Sequence, residues 1–282
     1  MTSATSTRGA VKAALASSRR WLVFGANTDV GKTVVSAGVV RASFALAPQA
    51  TRYVKVLQTG TAEGHSDEAF VRRALGAQAG PRLNARTLFS WGPAVSPHLA
   101  AEEARLRTGQ APPSDAEVVE RALAAAGDGT DFCLLETAGG VLSPGAVGAL
   151  QADMYLPLAK LLPVLLVGDG KLGGISTTLT ALEALESRGY QVPAVAVITD
   201  PDEMYGNSEY LASRFLSRKV STRVFPFAPL PRDPKAPLDR WYAENDSVFK
   251  EMLSSVIALA KARAAAQAPQ AEAGPAAALK KG

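Results

Sequence analysis

Cysteine and histidine are nearly missing from this chain: its 282 residues hold one Cys, Cys133, and two His, His65 and His98. A single cysteine excludes an internal disulfide framework, and one Cys with two separated His cannot build a structural zinc cage. Cys133 lies in the apolar run Phe132-Cys133-Leu134-Leu135 and reads as a core residue rather than a reactive thiol. Long hydrophobic runs are absent too. Runs such as Leu161 to Val167 fall far short of the ~20 residues a membrane helix requires, so no membrane partner is expected. Acidic residues are missing before Asp29, and Arg8, Lys12, Arg19 and Arg20 in that stretch account for the whole net charge of +4. The remainder is neutral, which argues against a nucleic-acid partner because no basic patch is left for a folded face. What is present is apolar substance: 47% of the residues, enough to bury a core without metal or disulfide staples.

Residues 1–20 combine Ser, Thr, Ala and Arg without an acid, a composition shared by organelle transit peptides and disordered tails. Residues 264–282 are rich in alanine, with Pro269 and Pro275, and read as a low-complexity tail or linker. A single domain is expected over 21–263. Within it, apolar β-branched runs alternate with helical stretches, the pattern of an α/β fold whose mostly parallel sheet carries helices on both faces. Expected strands are Trp21–Phe24, Tyr53–Leu57, Phe132–Glu136, Val164–Val167, Val195–Thr199 and Arg223–Phe227. Expected helices are Thr33–Leu46, Asp67–Leu75, Asp115–Ala126, Ile175–Ser187 and Ser208–Leu216. Ligands of such sheets bind beyond the carboxyl ends of the strands.

The first strand runs into Gly25-Ala26-Asn27-Thr28-Asp29-Val30-Gly31-Lys32-Thr33, and a helix follows. Strand, glycine loop, Gly-Lys-Thr and helix is the order of a P-loop NTPase. Its amides converge on phosphate oxygens, Lys32 reaches the β/γ-phosphates as an exposed loop lysine, and the Thr33 hydroxyl sits on Mg²⁺. Five residues separate Gly25 from Gly31 where the standard pattern has four, so its first glycine position is formally Ala26. The plain alternative is a glycine turn capping an ordinary helix.

Two acids lie where a second metal contact is expected. Glu136 closes the third expected strand and leads into Thr137-Ala138-Gly139-Gly140, a loop whose backbone can approach a ligand closely. Asp67 opens the helix after the second strand, where Ser66 or Asp67 would serve equally well as a simple cap. Lys55 stands inside the apolar run Tyr53-Val54-Lys55-Val56-Leu57, and a lysine in a covered strand needs a partner or a task. Lys171, in Gly168-Asp169-Gly170-Lys171-Leu172-Gly173-Gly174, is either a functional cation or a solvated loop charge.

Over residues 21 to about 230 these motifs resemble dethiobiotin synthetase, a P-loop enzyme of biotin synthesis. The early glycine before Thr28-Asp29-Val30-Gly31-Lys32-Thr33 is similar to that family's own phosphate loop. Lys55 with Thr59-Gly60, Ser66-Asp67, Ser96-Pro97-His98, Glu136 and Lys171-Leu172-Gly173 match further segments. The version fused ahead of a diaminopelargonate aminotransferase in plants and fungi is similar as well, through Glu136 to Val141, Gly168 to Ser176 and Ser247-Val248-Phe249. The resemblance implies catalytic roles for Lys32, Lys55 and Thr28, and a nucleotide site at Asn27, Asp29, Val30, Gly31, Lys32, Thr33, Thr199 and Asp200. It implies substrate contacts at Thr59, Gly139, Gly140, Lys171 and Gly173, and magnesium ligands Thr33, Asp67 and Glu136. His98 is not assigned as a base. One departure stands out: Ile198-Thr199-Asp200-Pro201 lies where the single-domain bacterial enzymes carry an asparagine that reads adenine, which leaves ATP preference open.

The implied reaction joins 7,8-diaminononanoate and CO₂, with a nucleoside triphosphate such as ATP and Mg²⁺, into dethiobiotin. The implied assembly is a homodimer, with an aminotransferase as partner or fusion. The implied location is the mitochondrion in a eukaryote and the cytoplasm otherwise. Alternatives on the same phosphate loop are another ATP-dependent amidating or cyclising synthetase, a P-loop ATPase switch, and a nucleotide-binding docking module. The switch ATPases of the partitioning type carry an extra lysine early in the loop, and Gly25 to Val30 contain none.

Overall fold

The computed structural model describes residues 19–46, 50–64, 66–78, 80–127, 131–159, 161–202, 205–218 and 221–267. The tail expected over 1–20 lies almost wholly outside them, as do His65 and residues 268–282 of the expected C-terminal tail.

Seven strands form one sheet in the order β3-β2-β4-β1-β5-β6-β7, and every neighbouring pair is parallel. They are β1 (Arg20–Gly25), β2 (Thr51–Gln58), β3 (Leu83–Ser90), β4 (Phe132–Gly140), β5 (Val164–Gly168), β6 (Ala194–Ile198) and β7 (Arg223–Phe227). The helices are α1 (Lys32–Leu46), α2 (Asp67–Leu75), α3 (Pro97–Thr108), α4 (Asp115–Ala126), α5 (Gln151–Met154), α6 (Gly174–Glu186), α7 (Asn207–Ser217), α8 (Asp239–Glu244) and α9 (Asp246–Gln267). Alternation along β1 sends Leu22 and Phe24 into one core layer with α4 and α6, and Trp21 and Val23 into the other with α1 and α9. Both faces of the sheet are therefore covered, which is why its strands read as unbroken apolar runs.

The connection out of β1 crosses to one side of the sheet and the later strands build the other side, so β1, between β4 and β5, marks the switch point. The loop after β1 opens into that crevice. One expectation is corrected here: Glu136 does not end its strand, since β4 runs on to Gly140. The last helix, α9, runs past Arg263 to Gln267. The strand β3 and the helices α3, α5, α8 and α9 are additions to the expected elements.

Candidate active site

The loop between β1 and α1 is held by close approaches that only glycine allows. A Cβ at Gly25 would lie 2.7 Å from Lys32 Nζ and 2.8 Å from the Asn27 carbonyl oxygen. Gly25, rather than the formal Ala26, is thus the glycine that the loop needs. Gly31 has φ 87° and a Cβ there would meet Ile198 Cδ1 at 2.6 Å. Between them Asp29 takes a left-handed φ of 57°, a conformation Asp tolerates better than most residues. The Thr28 N–H donates to Asn27 Oδ1 at 2.8 Å.

Lys32 is not the exposed residue expected. It is buried, and its Nζ folds back onto the Asn27 carbonyl oxygen at 3.3 Å. Burial, reinforced by the charge of Lys55, lowers its pKa from 10.5 to about 8, although Glu136, Asp67 and Asp29 oppose the shift. An anion placed beside Lys32 would relieve that cost.

Behind it lies a buried charge knot. Lys55 and Glu136 are register partners on β2 and β4. Lys55 Nζ donates to Glu136 Oε1 at 2.8 Å and to the Thr137 carbonyl oxygen at 3.1 Å, and it pairs with Asp67 Oδ2 at 2.6 Å. The Thr33 hydroxyl also donates to Glu136 Oε1, at 3.0 Å, and the Tyr53 hydroxyl donates to Glu136 Oε2 at 2.9 Å. Burial alone would discharge Lys55, yet the two carboxylates outweigh it and its pKa is raised. Burial likewise opposes the charge on Glu136, and the adjacent Lys55 wins, holding it below the usual carboxylate range. Asp67 is not the helix cap. Ser66 Oγ caps α2 by accepting from the Ala69 N–H at 3.1 Å, and the Asp67 carboxylate turns to Lys55 instead.

Thr33 is hydrogen-bonded to Glu136, and Glu136 and Asp67 share Lys55 as partner, so the three bring an all-oxygen donor set beside the phosphate loop, a chemistry that fits Mg²⁺. That ion usually takes one or two carboxylates and fills its remaining positions with water and substrate phosphates. No cluster of three or more His, Cys, Asp or Glu that could hold a metal ion occurs among the described residues.

A cavity of about 860 Å³ joins these parts, lined by Thr28, Asp29, Gly31, Lys32, Thr33, Lys55, Thr59, Asp67, Ser96, Gly139 and Ser143 among others. Gly139 has φ 62°, and the Gly140 N–H donates to Ser143 Oγ at 2.8 Å. Buried Gln151 fixes this turn by accepting from the Ala138 N–H at 3.1 Å and donating to the Ala138 carbonyl. A second cavity, of about 400 Å³, lies at the ends of β6 and β7 and is lined by Thr199, Asp200, Tyr205, Glu209, Pro226 and Pro229 among others. Lys171 and Gly173 line neither cavity. They occupy the loop after β5, which Asn207 pins from within by donating to the carbonyls of Asp169 at 3.0 Å and Lys171 at 2.8 Å.

Tyr53, Gln58, Ser143, Gln151 and Asn207 were not singled out by the sequence reading. Tyr53 had a usable signal: it sits two residues before Lys55 and so shares its face of β2. Gln58 accepts from the Asp67 N–H at 3.2 Å, a contact no local pattern announces.

A protein-family profile described as an AAA domain matches residues 19–236. The chain is 39% identical to the bifunctional dethiobiotin synthetase/7,8-diamino-pelargonic acid aminotransferase of Oryza sativa subsp. japonica, over 83% of this chain and 33% of that protein. It is 37% identical to the ATP-dependent dethiobiotin synthetase BioD of Phenylobacterium zucineum (strain HLK1), over 65% of this chain and 77% of that protein. The chain thus spans about a third of the length of the bifunctional plant relatives it matches. Among solved structures, pNOB8 ParA bound to nonspecific DNA aligns with TM-score 0.50 and 12% identity, covering 87% of this chain and 98% of that one, a likeness of fold.

Proposed function

The chain belongs to the dethiobiotin synthetase family, and from that premise we propose that it closes the cyclic urea of dethiobiotin from 7,8-diaminononanoate, CO₂ and a nucleoside triphosphate. The observation that carries this reading is Lys55. A phosphate-handling P-loop needs Lys32 and Thr33, but not a second buried lysine facing the same 860 Å³ cavity between two carboxylates.

One substrate amine captures CO₂ as a carbamate, whose negative charge the cations Lys55 and Lys32 accommodate. Carbamate oxygen then attacks the γ-phosphorus, the bond to the β–γ bridging oxygen breaks and the nucleoside diphosphate leaves, and Lys32 with the loop amides faces the charge that spreads over the phosphoryl oxygens. The second amine attacks the mixed anhydride, expels phosphate and closes the ring. Thr33, Asp67 and Glu136 would hold Mg²⁺, which supplies neutralisation of the β- and γ-phosphate charge. The remaining catalysis is positioning in the cavity that Thr59 and Gly139 line, with Gly140 next to it in the chain.

The second cavity is assigned to the nucleobase. There the backbone has little to read a base with: Pro226 and Pro229 have no N–H, the Ala228 N–H donates to Asn245 Oδ1, and the Phe227 carbonyl accepts from the Thr199 N–H. Asp200, where an asparagine would both donate and accept, can only accept. GTP and CTP are therefore expected to support synthesis within about tenfold of ATP, a gap of about 1.4 kcal/mol.

A homodimer and an aminotransferase as the source of the diamine, linked or separate, complete the proposal. The test feeds labelled bicarbonate and asks for an acid-stable product that forms only when diamine and triphosphate are both present. Triphosphate hydrolysis without diamine, and no fixed label, would replace this reading with an ATPase switch.

A further inference from the structure

The connection from β2 to α2, residues 59–66, is tied at both ends by one side chain. Gln58, the last residue of β2, is buried at the edge of the main cavity. Its Nε2 donates to the Thr59 carbonyl oxygen at 2.8 Å, and its Oε1 accepts from the Asp67 N–H at 3.2 Å. The opposite orientation of that amide would set donor against donor and oxygen against oxygen, so the two contacts together fix it. The Asp67 N–H belongs to the first turn of α2, whose donors have no partner inside the helix. Ser66 Oγ serves the Ala69 N–H of that turn from within, whereas Gln58 serves Asp67 from the sheet. Lys55 holds the Asp67 carboxylate at 2.6 Å, so two residues of β2 determine where Asp67 sits. At the other end the Trp91 N–H donates to the Gln58 carbonyl at 2.9 Å, and the Gly60 N–H, after Thr59, to the Pro93 carbonyl at 2.9 Å.

We propose that Gln58 is a positioning residue with two tasks: its N–H sets Thr59 for the diamine, and its oxygen sets Asp67 for Lys55. This rests on the function proposed above. The carbamate and the phosphoryl group must meet within near-attack distance, and Thr59 and Lys55 line the one cavity from opposite ends of the short segment that Gln58 ends and anchors. A single planar amide that bonds both ends holds the diamine wall and the charge knot in one fixed relation. The two tasks are chemically separable, because one needs a donor and the other an acceptor. Gln58→Glu keeps an oxygen for the Asp67 N–H and offers only oxygens to the Thr59 carbonyl. Gln58→Met keeps the length of the side chain and serves neither group. The plain alternative is a glutamine that satisfies two backbone groups and contributes to stability alone.

Two measurements on the full wild-type chain, Gln58→Glu and Gln58→Met test this: steady-state bicarbonate fixation, and amide hydrogen exchange at Asp67 without ligands. Loss of the bond to Thr59 should raise KM for the diamine about tenfold in both variants. Exchange at Asp67 should stay within about threefold of wild type in Gln58→Glu and become about tenfold faster in Gln58→Met. A purely structural glutamine predicts instead that both variants lose stability in urea while the diamine KM stays where it was. An active wild type with unaltered diamine KM in both variants, or unchanged Asp67 exchange in Gln58→Met, overturns this assignment and leaves the proposed function standing. A wild type that fixes no label overturns both.

Discussion

Lys32 is a side chain costly to the fold to which the proposed chemistry gives a central task. Its pKa of about 8 lies below the ordinary 10.5. Below pH 8 the folded and unfolded chains both carry the proton, and the folded chain bears the desolvation cost, on the order of 3 kcal/mol. Between pH 8 and 10.5 the unfolded chain holds a proton that the folded one has shed, so this residue's contribution to stability rises with pH. Lys32→Ala should therefore leave stability at pH 7 unchanged or higher while lowering synthesis at least ~100-fold, because a charge clamp on the transferring phosphoryl is lost. Urea unfolding and turnover on the same preparations check this, and wild-type turnover in the alanine variant would sink the phosphate-loop assignment. A second consequence is calorimetric. Phosphate beside Lys32 restores its proton affinity, so ATP binding at pH 8 should take up about half a proton more in the wild type than in Lys32→Ala. Equal uptake, read from binding heats in buffers of different ionisation enthalpy, would mean that the triphosphate does not reach Lys32.

Between elements, one of the tightest contacts is the one that seats α1, the helix that begins at Lys32. A Cβ at Gly38 would come within 2.0 Å of the Phe249 ring on α9, and that ring itself packs, tilted by 36°, with its centroid 4.4 Å from that of Phe227. Neither helix can yield cheaply, so Gly38→Ala should destabilise the protein by about 1–3 kcal/mol or more. Phe249→Leu in the same chain should recover part of that loss, and strictly additive penalties in urea unfolding would contradict the contact. This packing bears on what the sequence made legible. The phosphate loop, Lys55, Asp67 and Glu136 could be found because loop order is local and a charge in an apolar run is conspicuous. Strand β3, Leu83–Ser90, was not, because as an edge strand it keeps partly exposed residues and carries Asn84, Arg86 and Thr87. Helices α8 and α9 escaped because Trp241, Tyr242 and Phe249 declare themselves only as a cluster around Phe227. Gln151 and Asn207 escaped for the related reason that each serves backbone groups distant in sequence.

At the scale of the whole molecule, the loop after β5 is the puzzle, since Lys171 and Gly173 match the family yet line neither cavity of their own chain. Its inner side is fixed: Asn207 holds two of its carbonyls, and a Cβ at Gly174 would lie 2.0 Å from the Asp169 carbonyl oxygen. Its outer side is presented to solvent, with Lys171 exposed and Leu172 79% exposed. A rigid loop with an outward cation at the start of α6 suits the carboxylate tail of a diamine whose reacting end sits in another subunit. The prediction is a site shared across a homodimer, tested by mixing two inactive variants. Lys32→Ala disables the phosphate loop. Gly173→Asp sets a negative charge where the tail would bind, and Asp is among the residues that best tolerate the left-handed φ of 85° there. Random exchange makes about half the molecules mixed dimers, each with one intact composite site of two, so activity should return to about a quarter of wild type. Mixed dimers verified by mass spectrometry that remain inactive would mean that each subunit binds the tail with its own residues, and the outward loop would then have no part in the reaction.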